Sequence, residues 1–227
     1  AKFGYNVEYI GHPLIDTIDE SDTSQTPVFL SKNKLDGRPV IALLSGSRLQ
    51  EVRAILPVIA GVSSGFPDYQ FVVAAMDHLP VRLYQEAASS YPVRIVTGRT
   101  YDLLAVAEAA LVTSGTATLE AALFDVPQAV CYRTSPVTYR LAKWFIKVRF
   151  ISLVNLIMDR EVVKELIQAD LNAVSLHREL EEILVTGYRH ERIKADYRDL
   201  RAILGGSGAS GRVAADMAGS LVQKEGR

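Results

Sequence analysis

Residues 111–127 read L-V-T-S-G-T-A-T-L-E-A-A-L-F-D-V-P, an apolar strand that runs through Ser114-Gly115-Thr116 into a helix carrying Glu120. Such a turn sets backbone N–H groups and small hydroxyls at the positive end of a helix dipole, and Gly115 admits an anion without a Cβ in its path. Glu120 stands about one helical turn past Thr116, where a carboxylate can accept hydrogen bonds from a pair of sugar hydroxyls. Together these groups suit a diphosphate with a ribose attached. An ordinary strand-to-helix connection, with a Thr cap and a solvated Glu, is the other reading of the same residues.

A second strand empties into a similar loop. Arg38 to Leu44 is short and apolar and ends in Ser45-Gly46-Ser47-Arg48, after which Val52, Ile55, Leu56 and Ile59 recur at helical spacing between Leu49 and Val62. In an open parallel sheet, ligands sit beyond the carboxyl ends of the strands, so the two loops can converge on one crevice. Gly46 and Ser47 would add a second phosphate contact, and Arg48 a permanently charged fork for phosphate oxygens. Arg48 as a mere surface residue is disfavoured, because a cation at a helix N-terminus opposes the dipole.

Two amides could recognise neutral groups. Ile151-Ser152-Leu153-Val154-Asn155 reads as a short apolar element ending in Asn155, and Gln168 follows a short helix expected over Glu161 to Ile167. Asn and Gln suit a uracil edge or sugar hydroxyls, where a full charge would cost desolvation. Each can equally be a turn residue or a surface amide.

The elements that must position these groups follow a strand–helix rhythm. Val40 to Leu44, Gln70 to Ala74, Val93 to Val96, Ala110 to Thr113 and Gln128 to Cys131 read as short strands between helical stretches. The expected fold class is α/β, a Rossmann-like parallel sheet with helices on both faces. From Val162 onward only helical patterns are read, with helices over Asn172 to Leu184, Glu191 to Leu204 and Ala209 to Gln223 forming a C-terminal helical cap. Gly205-Gly206-Ser207-Gly208 reads as a flexible hinge, since no strand precedes it. Before the sheet, Val7 to Ile10 is a short strand, Gly11-His12-Pro13 a sharp turn, and Asp19 to Pro39 a polar, mobile connector. Residues 1–38 are thus expected to form a domain-junction segment and connector, and residues 39–227 the sheet domain with its C-terminal helices.

Composition narrows the function classes. The chain has 227 residues, 48% hydrophobic and 22% charged, with a net charge of −1, so no global field recruits nucleic acid. Cys131 is the lone cysteine and is expected to be a buried strand thiol, which excludes an internal disulfide. No apolar run reaches the length of a membrane span. Tyr139 to Phe150 is dense in Arg, Lys and aromatics; as a helix it has Leu141, Trp144, Phe145 and Val148 on one stripe, flanked by Arg140, Lys143, Lys147 and Arg149. That segment is either a face for anionic lipid or a crossover helix burying Trp144. His12, His78, His177 and His190 lack metal-ligand spacing, so no metal or cofactor is expected. His78 reads as a solvated loop residue. His12, fixed between Gly11 and Pro13, is a candidate for the acceptor side or the hinge. No residue here identifies itself as a catalytic base.

Several of these segments also resemble a known family. G-H-P-L at 11–14, G-S-R-L-Q-E at 46–51, T-S-G-T-A-T-L-E-A-A-L at 113–123, Tyr132-Arg133, I-S-L-V-N at 151–155 and E-V-V-K-E-L-I-Q at 161–168 are similar, in order and spacing, to lipid-A-disaccharide synthase. The resemblance covers nearly the whole chain and corresponds to about the second half of that enzyme. It implies the C-terminal domain of a GT-B glycosyltransferase, with a further α/β domain preceding it that carries the acceptor pocket and the base. It adds Tyr132, Glu165 and, with them, Asn155 and Gln168 to the donor-sugar site. The implied reaction is metal-independent and inverting, from a UDP-diacylglucosamine donor to a diacylglucosamine 1-phosphate acceptor. A cytoplasmic enzyme at the inner-membrane surface is implied, with a homodimer as one assembly open to it. The family usually has Pro where Ser45, Val154 and Lys164 stand, so these turns depart in geometry from the family pattern. The alternatives are another GT-B-type UDP-GlcNAc enzyme, either an epimerase or the peptidoglycan GlcNAc transferase, and a non-enzymatic nucleotide-binding module.

Overall fold

The computed structural model describes residues 9, 11–20, 26–135, 139, 149–215 and 217. Six strands form one sheet: β1 (Val40–Leu44), β2 (Gln70–Ala75), β3 (Val93–Thr97), β4 (Ala107–Thr113), β5 (Gln128–Tyr132) and β6 (Lys164–Ile167), in the order β3-β2-β1-β4-β5-β6. Every neighbouring pair is parallel. The strand order reverses between β1 and β4, which is the topological switch point of a doubly wound sheet.

The central strands are buried along their whole length, as expected where helices cover both faces. Side chains alternate between two cores. Ile41, Leu43, Val73 and Leu111 face one core, which is closed by Ile55, Leu56 and Ile59 of α3 (Leu49–Gly61) and Leu176 and Leu180 further on. Val40, Ala42, Val72 and Val112 face the other, closed by Leu103 and Leu104 of α5 (Thr100–Val106) and by Phe29. Helix α4 (Val81–Ala87) packs beside α3.

Phe29 belongs to α2 (Thr26–Lys32), a helix inside the stretch expected to be a mobile connector. The polar composition there concealed one anchoring aromatic, 2% exposed. A second correction concerns Glu161 to Ile167, which is not a helix: β6 occupies the slot beside β5, with Leu166 opposite Cys131 in the register. Seven residues span barely two helical turns and establish no firm period, and pairing with the sheet decides the outcome. The short apolar element expected to end in Asn155 instead continues as a helix: Ser152 caps α7 (Leu153–Met158) by accepting from the Asn155 N–H at 3.3 Å.

The cap consists of α8 (Ala173–Ile183), started by the Asn172 side chain, and α9 (His190–Leu204). Gly205 to Gly208 is not a free hinge. It packs on the segment leading into α1 (Pro13–Asp19), where the His12 N–H donates to the Leu204 carbonyl at 3.2 Å. The Asp16 carboxylate accepts from the Gly208 and Ser210 N–H groups, capping residues 209–215, which are again helical. Gly11 takes φ +99°, and a Cβ there would stand 3.0 Å from the Arg212 guanidinium. The expected strand Val7 to Ile10 lies outside the described residues save Tyr9, as do residues 140–148 of the basic segment and residues 218–223 of the last helix.

Candidate functional site

A cleft of about 420 Å³ opens at the carboxyl ends of β1, β2 and β4, over the switch point. Its walls include Gly46, Ser47 and Arg48 of the loop after β1, and Ser114, Gly115, Thr116 and Glu120 of the loop after β4 and α6 (Ala117–Leu123). The fold thus brings these seven expected site residues to one mouth.

The loop after β4 has donors to offer. Gly115 adopts φ +140°, a region that favours glycine, and nothing lies within 4 Å of the place a Cβ would take. The N–H groups of Gly115, Thr116 and Ala117 take no protein partner among the described residues. Their carbonyl neighbours are engaged instead: the Thr118 hydroxyl donates to the Gly115 carbonyl at 2.8 Å. Ser114 differs from expectation, because its hydroxyl donates to the Ile151 carbonyl at 2.8 Å and that proton is not available to an anion. Glu120 lines the cleft half-buried with no protein donor on its carboxylate among the described residues, and burial raises its pKa above the ordinary value.

The loop after β1 is arranged otherwise. Its N–H groups at Ser47 and Arg48 donate to Glu51 Oε2 at 3.1 and 3.2 Å, and Glu51 Oε1 lies 3.3 Å from the Arg48 guanidinium. Gly46 sits at φ +101° against this carboxylate. Gly46 and Ser47 line the cleft, but in this arrangement the Ser47 and Arg48 N–H groups are filled by the protein's own carboxylate. Glu at the third position of a helix is a capping-box signal that was legible in the sequence. His78 is not simply solvated, since its Nε2 lies 2.8 Å from the Ser47 carbonyl and steadies the loop from the other side.

Asn155, Glu165 and Gln168 require a further correction. Asn155 is fully buried; its Oδ1 accepts from Val162 and Val163 N–H at 2.8 and 3.0 Å, and its Nδ2 donates to the Val163 carbonyl at 2.8 Å and Glu165 at 2.9 Å. Glu165 also accepts from the Ile151 and Ser152 N–H groups. Gln168 pairs its amide with both backbone groups of Thr134 at 3.0 and 3.1 Å. In this arrangement Glu165, held by Asn155, shapes the turn at 151–153 that backs Ser114, Gln168 holds Thr134, and none of the three lines the cleft. Tyr132, half-buried at the end of β5, and His12 are also absent from its walls. The His12 Nδ1 accepts from the Leu14 N–H at 3.2 Å, as a helix cap.

Sequence reasoning missed Met76, Thr100 and Tyr101, which complete the walls. Met76 directly follows β2, and Thr100 and Tyr101 open α5, so the rule about carboxyl ends of strands pointed to their neighbourhood. The Tyr101 ring packs on Phe124 at 5.4 Å between centroids, and its hydroxyl pKa is raised by burial and by Glu120. Cys131 is buried in β5 with its thiol pKa pushed up by burial. Among the described residues, no group of His, Cys, Asp and Glu could hold a metal ion.

The fold and cleft define a doubly wound domain of the GT-B type. MnaA from S. aureus, solved as a UDP co-structure, superposes with a TM-score of 0.62 at 15% identity over 93% of this chain and 54% of that one. At that identity the likeness concerns the fold alone. Sequence comparison goes further: residues 1–212 match the family described as Lipid-A-disaccharide synthetase. The lipid-A-disaccharide synthase of Sulfurihydrogenibium sp. (strain YO3AOP1) is 30% identical over 97% of this chain and 60% of its own length. That of Myxococcus xanthus (strain DK1622) is 33% identical over 93% and 56%. The chain belongs to the lipid-A-disaccharide synthetase family, and it spans between 56% and 60% of the length of these two relatives.

Proposed function

We propose that this chain is the UDP-sugar-binding part of a glycosyltransferase that makes the lipid A disaccharide. The whole enzyme transfers 2,3-diacylglucosamine from its UDP donor to the 6-hydroxyl of 2,3-diacylglucosamine 1-phosphate, with inversion. The observation that carries this reading is the loop after β4: three N–H groups at the start of α6, with the Glu120 carboxylate beside them, all without a protein partner among the described residues. The N–H groups would take phosphoryl oxygens and Glu120 the ribose hydroxyls. In the transfer step, negative charge develops on the departing UDP, and oriented donors in a partly enclosed cleft stabilise it without a metal. Thr116, exposed at the cleft mouth, adds a hydroxyl.

The acceptor pocket and the base that deprotonates the acceptor hydroxyl would lie in the part of the enzyme outside this chain's span. Residues 1–38 would join that part to the sheet domain of residues 39–227. Peripheral attachment to the cytoplasmic face of the inner membrane suits lipid substrates; no helix among the described residues is long and apolar enough to cross a membrane. A homodimer is compatible with this reading, and nucleic acid has no part in it.

Competition separates this function from that of other UDP-sugar enzymes. UDP-2,3-diacylglucosamine should displace bound UDP at lower concentration than UDP-GlcNAc does, because the acyl chains add contacts. Stronger displacement by UDP-GlcNAc would favour an epimerase or a peptidoglycan-type transferase.

A further inference from the structure

The first loop holds a carboxylate where an anionic ligand would sit. We infer that Glu51 is a resident anion: it occupies the donor groups of the loop after β1 and yields them to the diphosphate of a bound UDP. Glu51 thereby determines how tightly that nucleotide is held. This inference rests on the reading of the cleft as a UDP site.

Three contacts define the occupied state. Ser47 and Arg48 N–H converge on Glu51 Oε2 at 3.1 and 3.2 Å, while the Arg48 guanidinium meets Oε1 at 3.3 Å. Two N–H groups and a guanidinium are the donor set that binds a phosphoryl group elsewhere. Glu51 and Arg48 both line the cleft, so the carboxylate stands in the space a diphosphate would enter. A second observation is independent of these bonds. Ser45 Oγ and Thr113 Oγ1 are buried without a hydrogen-bond partner, and they account for two of the three such side-chain atoms among the described residues. They stand one residue beyond Leu44 and Val112, the last matched pair of β1 and β4, so the register sets them side by side on one face beneath the loop. Thr113 is itself part of the cleft wall. A loop locked down by Glu51 leaves both hydroxyls unsatisfied, a cost that a loop opened by the ligand can recover.

If Glu51 were only a helix cap, its loss would loosen the loop and weaken nucleotide binding. A resident anion predicts the opposite sign. Titration of UDP and of uridine onto the chain and its Glu51→Gln variant should show UDP held about fivefold more tightly by the variant, the scale of one partly exposed charge interaction. Uridine should be unaffected. Glu51→Asp, whose carboxylate falls short of the loop, carries the same expectation if Glu51→Gln proves unstable in thermal unfolding. Thr113→Val should weaken UDP several-fold and leave uridine alone. Unchanged or weaker UDP binding by the Glu51 variants would overturn the inference, as would a Thr113→Val chain that holds UDP as well as the parent. A parent chain that binds no UDP would overturn the reading of the cleft as well, so the two failures are distinguishable.

Discussion

Glu120 shows how much one residue type at one spacing can say. Its place a turn inside the helix after Gly115 was readable from the sequence, because strand, glycine turn and helix fix which way position 120 faces. Glu120→Ala should weaken UDP binding by about 1.5–3 kcal/mol, the range for a hydrogen bond to a charged group, and should scarcely affect 2′,3′-dideoxy-UDP. Equal losses for both nucleotides, measured by calorimetry, would make Glu120 a structural residue. Asn155, Glu165 and Gln168 were not readable in the same way. Their amides and carboxylate suit a ligand and a backbone turn equally, and the choice depends on loops distant in sequence, such as Ile151 against Glu165. Asn155→Ala should therefore act on stability: it orphans the Val162 and Val163 N–H groups and costs about 3 kcal/mol. That corresponds to a Tm lower by roughly 6–12 °C in a chain of this size. A variant that melts with the parent but loses UDP affinity would return Asn155 to the ligand site.

At the scale of elements, the five strands from β1 to β5 announced themselves as short apolar runs, each followed by small or turn-forming residues. Strand β6 did not, since Lys164–Ile167 is an edge strand of mixed polarity whose identity depends on its pairing with β5. Helix α2 was concealed for a similar reason, with Phe29 alone fully buried among the described residues of a polar stretch. The interlock of Asp16 with the segment after α9 joins residues far apart in sequence and left no local signal. Hydrogen bonds from the Ser210 backbone and hydroxyl, and then from Gly208, lower the Asp16 pKa to about 2. A carboxyl depressed in the folded state stabilises the fold above its unfolded pKa, and that contribution fades as pH falls through the folded value. Asp16→Asn should accordingly lower the Tm at pH 7, with a smaller difference at pH 3 and a smaller one still near pH 2, the folded pKa. A gap of constant size across that range, in thermal unfolding, would contradict an ionised cap.

For the molecule as a whole, the switch point dictated where a ligand could bind before any residue was assigned to it. Two loops meet there: the one after β4 has three N–H groups without a partner among the described residues, while in the other the Ser47 and Arg48 N–H groups are taken by Glu51. The sequence indicated the convergence of the loops, and Glu51 at the third helical position was its one local signal of this asymmetry. Since the chain spans little more than half the length of its relatives, it should bind nucleotide without catalysing transfer. Donor and acceptor supplied together should give no disaccharide; turnover would place the base within this chain. The most direct test of the central claim is calorimetric titration of UDP and uridine onto the purified chain. A phosphate-holding loop after β4 predicts UDP binding distinctly tighter than uridine, with the advantage lost on adding salt or replacing Gly115 with Val. Equal affinity for the two, or none for UDP, would contradict it.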